Sequence, residues 1–410
     1  MDQSIYLLLM SVLFVCVHCE FEGEECKKGN LLGVCTNIRK CQSALNDIRN
    51  RKSPQICSFD NADPVVCCFD NSISSRAPLA TTTRRTPSST TTEYVPPSYD
   101  YQSNNGDKKC EDVPADLTSP KTGQKAWDKC IEYQEQLVYP CEKGVALTGE
   151  ISRSKHCHHD ADELIIGGTD AGVNEYPHMV LLGYGDDVAN IQWLCGGVLI
   201  SERFVLTAGH CLSSREVGAV RYVYIGALAR HETTNPSRRY AVIRAHRHPD
   251  YKPPSKYNDI ALLELDRQVP LDQYTVPACL HTGDAVNDER ASATGWGLTE
   301  NRGSTSDVLQ KVVLTKFTSA ECSEKYPTNR NMKRGFDPRT QMCYGDRTLS
   351  RDTCQGDSGG PIQIKSKKMD CMYVVIGVTS FGRACGYAGE PGIYTRVSHY
   401  VPWIESVVWP

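Results

Sequence analysis

Past residue 165 the chain alternates short apolar runs with polar or glycine-bearing turns, as in Gly197-Val-Leu-Ile200, Phe204-Val-Leu206 and Val374-Val-Ile-Gly-Val378. Runs this short, rich in branched aliphatics, predict β-strands, and many of them in succession predict an all-β barrel protein. Val401 to Val408 breaks the pattern with a closing helix. Ahead of residue 165 the pattern is thinner. Lys129-Cys-Ile-Glu-Tyr133 suggests a short helix, although its periodicity does not decide the matter. Residues 69–109 turn to Ser, Thr, Pro and Tyr with almost no branched aliphatics. Such a stretch buries too little surface to fold and reads as a disordered linker, in which Thr81 to Thr92 is a candidate for O-linked sugar. At the other end, Ile5 to Val17 is apolar but too short to span a bilayer; residues 1–19 read as a secretory signal peptide despite Asp2 and the lack of an early Lys or Arg.

Composition sharpens this outline. The chain carries 20 cysteines, which point to an oxidising compartment and therefore a secreted protein. Removing the leader takes Cys16 and Cys19 and leaves an even number. Cys26, Cys35, Cys41, Cys57, Cys67 and Cys68 crowd into residues 26–68, too small a piece for an apolar core of its own, so disulfides must staple it. Zinc is the other reading of clustered cysteines, but C-x-x-C spacing and histidine are both missing there. Their pairing is one of fifteen on sequence grounds. A net charge of −4 without a dense Lys/Arg stripe gives no reason to expect nucleic acid or a membrane partner.

Candidate chemistry lies in Asp352-Thr-Cys-Gln-Gly-Asp-Ser-Gly-Gly-Pro361. Ser358 sits among glycines whose backbone N–H groups can approach a substrate carbonyl, with Gly356 and Ser358 as the two donors. A serine needs a base, which Thr207-Ala-Gly-His-Cys211 offers in His210; Asn258-Asp-Ile-Ala-Leu-Leu263 adds Asp259 to orient it. Each residue alone has a structural explanation: a buried histidine, a strand-capping acid, a turn serine. In the order His, Asp, Ser, with Ile165-Ile-Gly-Gly168 and Gly295-Trp-Gly297 also in sequence, they resemble the chymotrypsin-like (S1) serine proteases from Ile165 to Pro410. The six N-terminal cysteines, ending in an adjacent pair, resemble the clip domain of arthropod zymogen proteases.

These resemblances carry detailed expectations. The fold would be a double β-barrel with a C-terminal helix over residues 165–410, preceded by the clip domain (26–68), the linker and a light-chain segment (110–164). The clip pairing would be Cys26–Cys67, Cys35–Cys57 and Cys41–Cys68. The protease domain would contain Cys195–Cys211, Cys322–Cys343 and Cys354–Cys385, and Cys279 would tether the light chain, with Cys157 chosen as its partner. That leaves Cys130–Cys371 and Cys110–Cys141 as a guess. Asp352 would floor a specificity pocket kept open by Gly382 and Gly392, selecting Arg or Lys, while Ser380 to Gly382 would pair with substrate backbone. Cleavage between Leu164 and Ile165 would free an α-amine to pair with Asp357. Leu164, where trypsin-activated zymogens carry Arg or Lys, implies an upstream protease of chymotrypsin- or elastase-like specificity. A downstream protease zymogen and a serpin are the other partners implied. No cofactor or metal is expected: Ala227 replaces the family's calcium-binding glutamate, and His156-Cys-His-His-Asp160 reads as solvated histidines. A digestive trypsin and a non-catalytic clip-domain adaptor are the alternatives.

Overall fold

The computed structural model describes residues 25–28, 31–41, 43–44, 56–60, 63–69, 110–143, 151–157, 168–283, 288–298, 305–348, 356–382 and 388–410. Leader, linker, Leu164, Ile165, Asp352 and the Cys354–Cys385 pair lie outside them. The chain divides into two units, Met1–Gln102 and Ser103–Pro410.

In the first unit, strands Glu25–Lys28, Leu31–Asn37, Ile56–Asp60 and Asp63–Cys68 form one antiparallel sheet in the spatial order first, second, fourth, third. Its buried side chains are largely the cysteines themselves with Val65, Val66 and Ala44. The bonds are Cys26–Cys67, Cys35–Cys57 and Cys41–Cys68, the pairing the clip resemblance implies. With so few aliphatics, these cross-links supply what the core does not.

The second unit holds two six-stranded barrels. The first uses β1 (Met179–Tyr184), β2 (Gln192–Leu199), β3 (Phe204–Thr207), β4 (Gly218–Ile225), β5 (Arg239–Arg247) and β6 (Ala261–Leu265). They run antiparallel in the order β1-β2-β3-β6-β5-β4, and β4 closes onto β1 through Val223↔Leu182 and its neighbours. Alternation along β1 has the period of a strand buried on both faces. Val180, Leu182 and Tyr184 enter the barrel core, while Met179 and Leu181 pack outward against Tyr224 and Trp296.

The second barrel repeats that order with β7 (Arg290–Gly295), β8 (Gln310–Lys316), β9 (Gln341–Gly345), β10 (Pro361–Lys365), β11 (Tyr373–Phe381) and β12 (Gly392–Arg396). Here β7-β8-β9-β12-β11-β10 closes through β10–β7 pairing, Ala293↔Ile362. Its core mixes Ala291, Ala293, Leu314 and Ile376 with Tyr344 and Tyr394, whose rings meet edge-on at 5.8 Å. The closing helix is Val397–Val408 and buries Val397, Tyr400, Val401, Ile404 and Val408 at helical spacing against the first barrel's core.

Residues 110–143 and 151–157 lie on this double barrel. Helix Lys125–Tyr133 turns its buried face, Trp127, Cys130 and Ile131, onto Met369, Met372 and Val374. It continues into a π turn, where Tyr139 N–H reaches the Gln134 carbonyl at 2.9 Å. Buried Gln134 donates to the carbonyls of Leu117 (2.8 Å) and Asp370 (2.9 Å). The helix also reaches the first barrel, as the Tyr133 hydroxyl donates to Glu202 at 2.9 Å. This docking corrects two expected disulfides. Cys279 pairs with Cys130, not Cys157, because the helix face lays Cys130 over the Cys279 strand, with the Cα atoms 5.2 Å apart. Cys157, carried onward by strand Ile151–Arg153, pairs with Cys371 (Cα–Cα 5.8 Å) in place of the expected Cys130–Cys371 bond. Cys110–Cys141 forms as expected.

Candidate active site

The ends of β3 and β6 lie side by side, Thr207 opposite Ala261, and each is followed or preceded within a few residues by a chemical group. After β3 the chain makes the tight turn Gly209–Leu212, which carries His210. Gly209 has to be small: a Cβ there would stand 2.7 Å from the Tyr251 ring. Cys211, bonded to Cys195, pins the far side of the turn to β2. Before β6, Asn258 adopts φ +56, a left-handed conformation that asparagine tolerates, and delivers Asp259 to the interior.

Asp259 is 1% exposed and its carboxylate is fully used. Oδ1 accepts the His210 backbone N–H at 2.8 Å, and Oδ2 pairs with the ring Nδ1 at 2.8 Å. The second barrel contributes too: Ser380 Oγ donates to Oδ2 at 2.5 Å, and Thr395 Oγ1 donates to the Asp259 carbonyl at 2.8 Å. Burial pushes this carboxyl upward. The neighbouring His210 ring and the hydrogen bonds from His210 and Ser380 outweigh it and hold Asp259 below its ordinary range. An ionised carboxylate only accepts, so the Nδ1 facing it must carry a proton, an arrangement that in the neutral ring puts the lone pair on Nε2.

The Ser358 loop is threaded through backbone contacts. The Ser358 carbonyl accepts Gly196 N–H of β2, and Gly359 N–H reaches Thr379 of β11, each at 2.9 Å. Gly359 has φ +78, and a Cβ on it would lie 2.2 Å from Thr207 Oγ1 and 3.1 Å from Cys211 Sγ. The loop therefore abuts the disulfide beside His210. Gly356 has φ +105, and a Cβ there would come within 2.7 Å of the Gly297 Cα. Both positions require glycine on conformational and steric grounds.

Asp357 turns toward Gly295-Trp-Gly297. Gly297 N–H donates to Asp357 Oδ1 at 2.9 Å. A Cβ on Gly295 would fall 2.0 Å from that oxygen, and one on Gly297 2.6 Å from it. These two glycines form a seat for the carboxylate, a role that sequence reasoning did not assign. The signal was present in the Gly-Trp-Gly motif, but its partner lay about sixty residues ahead (Gly297 to Asp357). Ser380, expected only at the substrate edge, also anchors Asp259. Gly382 is exposed just beyond β11, and buried Gly392 begins β12 opposite Tyr344.

A buried aspartate holding a partly exposed histidine at one barrel rim, beside a glycine-shaped serine loop from the other, defines the serine-hydrolase class of double-barrel proteins. The trypsin family profile matches residues 165–404. Serine protease snk of Drosophila melanogaster is 37% identical over 266 residues, covering 64% of this chain and 60% of the relative. CLIP domain-containing serine protease B4 of Anopheles gambiae is 32% identical, with 68% of this chain and 81% of the relative covered. The phenoloxidase-activating enzyme of Bombyx mori aligns nearly end to end, 28% identical over 95% of this chain and 96% of its own. The chain belongs to the trypsin family of serine proteases and, within it, to the clip-domain proteases. Among the described residues no helix is long and apolar enough to cross a membrane.

Proposed function

We propose that this chain is a secreted serine endopeptidase, made as a zymogen and acting within an extracellular proteolytic cascade. Ser358 Oγ attacks the scissile carbonyl carbon while its proton passes to His210 Nε2. The developing oxyanion accepts from the backbone N–H groups of Gly356 and Ser358. His210 then gives that proton to the leaving amine, and water repeats the cycle to release the acyl group. Asp259 holds the ring in the reactive tautomer and stabilises the imidazolium. The observation that carries this reading is buried Asp259 holding the partly exposed His210, 2.8 Å at both contacts, next to a serine loop with two positive-φ glycines.

Asp352 floors the primary pocket and selects Arg or Lys, with Gly382 and Gly392 at its walls and Ser380–Gly382 as the strand that receives substrate. Cleavage between Leu164 and Ile165 frees the amine that pairs with Asp357, and Leu164 calls for an upstream protease with a chymotrypsin- or elastase-like pocket. The light chain stays attached through Cys130–Cys279 and Cys157–Cys371. The name of one relative, a phenoloxidase-activating enzyme, supports another enzyme's precursor as the downstream substrate. The setting in this reading is extracellular, of haemolymph or perivitelline type, and a serpin would terminate activity.

The test is to replace the Leu164–Ile165 junction with an engineered cleavage site and cut it. Hydrolysis of Arg peptides should appear on cutting and vanish in Asp352→Ser. Preference for Phe over Arg would refute the pocket assignment, and a cut protein unreactive to a serine-directed reagent would be the adaptor instead.

A further inference from the structure

Lys256 stands three residues before Asp259, and Phe381 directly follows Ser380, so both flank the groups that hold the catalytic carboxylate. The Lys256 ammonium lies 5.0 Å from the centroid of the Phe381 ring. Its backbone is fixed on both sides: its N–H donates to Asn331 at 3.1 Å, and its carbonyl accepts from the Gln341 side chain at 3.1 Å. The Asn331 contact brings a basic loop alongside, with Arg330, Lys333 and Arg334 all exposed, and Lys252 is exposed on the other side. Asp337 pairs with Arg339 (3.3 Å) and more loosely with Arg334 (3.8 Å). Lys252, Lys256, Arg330 and Lys333 have no ion-pair partner among the described residues. An ammonium held over an aromatic ring at a cleft edge, with further cations around it, is poised for an anionic side chain.

We propose that this edge selects acidic residues in the substrate segment just before the cleaved bond. The inference rests on the protease reading above, in which substrate backbone pairs along Ser380–Gly382. A strand running there passes its alternate side chains over the Phe381 ring and toward Lys256. A carboxylate arriving at that point meets an ammonium whose backbone is already positioned and whose charge no carboxylate among the described residues satisfies. The field of the neighbouring loop adds a weaker, salt-sensitive attraction that raises the encounter rate.

The test uses the cut, full-length enzyme and fluorogenic peptides ending in Arg, with Asp or Ala at the second, third and fourth positions counted back from the cleaved bond. The expected kcat/KM ratio of Asp over Ala peptides is about three- to ten-fold at one or more of these positions, shrinking at high salt. Lys256→Arg should keep the preference, and Lys256→Glu should turn it toward Lys-bearing peptides. Being a ratio, it is insensitive to the fraction of each variant that folds, which a serine-directed reagent counts independently. A ratio near one in the wild type overturns the proposal. So does a preference that Lys256→Glu leaves intact, which would make Lys256 a cover for the Phe381 ring. Arg peptides cleaved without acidic preference sink this inference alone. If no peptide is cleaved and no serine is labelled, the protease reading falls and takes this one with it.

Discussion

The two barrels share one strand order yet deliver their chemistry by different means. In the first, His210 and Asp259 hang on short connections from β3 and β6, two strands whose side chains on both faces (Val205, Leu206, Leu262, Leu263) are fully buried. The core that folds the barrel therefore sets the distance between the two groups. In the second, Ser358 rides a loop between strands, and its shape comes from glycine backbone conformations and from Asp357 seated on Gly295 and Gly297. The lesson is that the proposed acid–base half of the site is built by packing, whereas the proposed nucleophile half is built by local backbone geometry and one charged contact. A protein so divided can fold completely and still leave activity to depend on what happens around Asp357.

The sharpest way to break this comparison is to disturb each half separately. Asp259→Asn should lower kcat/KM by about 10⁴-fold near neutral pH, because the ring loses the reactive tautomer. The same change bears on stability. With its folded pKa depressed, Asp259 stabilises the protein above its unfolded value of about 4, and that contribution fades as pH falls through the folded value. Thermal unfolding across the acid range should therefore show a shallower loss in Asp259→Asn than in the wild type. An equally steep loss would mean that the pair is not held by packing. Gly356→Ala disturbs the other half and should cost about 10²- to 10³-fold in kcat with KM little changed, since it displaces the proposed oxyanion donor. Equal activity of this variant would show that the φ +105 conformation is dispensable.

The clasp formed by residues 110–143 and 151–157 allows a finer comparison, because it touches both barrels. Trp127→Ala should destabilise the protein by about 3–5 kcal/mol in denaturant unfolding, with hydrogen exchange rising at Met369 to Val374 more than in β1 to β6. Uniform loosening would mean that the helix supports both barrels alike. Tyr133→Phe removes the single hydrogen bond to Glu202 of the first barrel and should cost about 1 kcal/mol.

Much of this architecture was legible in the chain. The pairing of His210 with Asp259 was readable because each lies in a short motif whose chemistry is local, and the strands because their apolar runs are brief and bounded by turns. Cys195–Cys211 and Cys322–Cys343 pair as expected. The light chain was not legible. The partner of Cys279 depends on which face helix Lys125–Tyr133 presents, and Lys129 to Tyr133 alone gave too few turns to fix that face. Once Trp127, Cys130 and Ile131 are buried on Met369 and Met372, Cys157 is carried past Cys279 and meets Cys371. The seat of Asp357 escaped for a related reason. Glycine records that a side chain is unwelcome but not which group occupies the space, so Gly295 and Gly297 point to a close approach without naming Asp357.

The account's central claim is that a preassembled Asp259–His210 pair activates Ser358 once the chain is cut ahead of Ile165. The most direct measurement is stoichiometric labelling with a serine-directed fluorophosphonate, followed by mass mapping, before and after cutting an engineered junction. The account predicts about one label per cut molecule, on Ser358, with little before cutting and none in His210→Ala. Equal labelling of the uncut chain, or a label on any other residue, would contradict it.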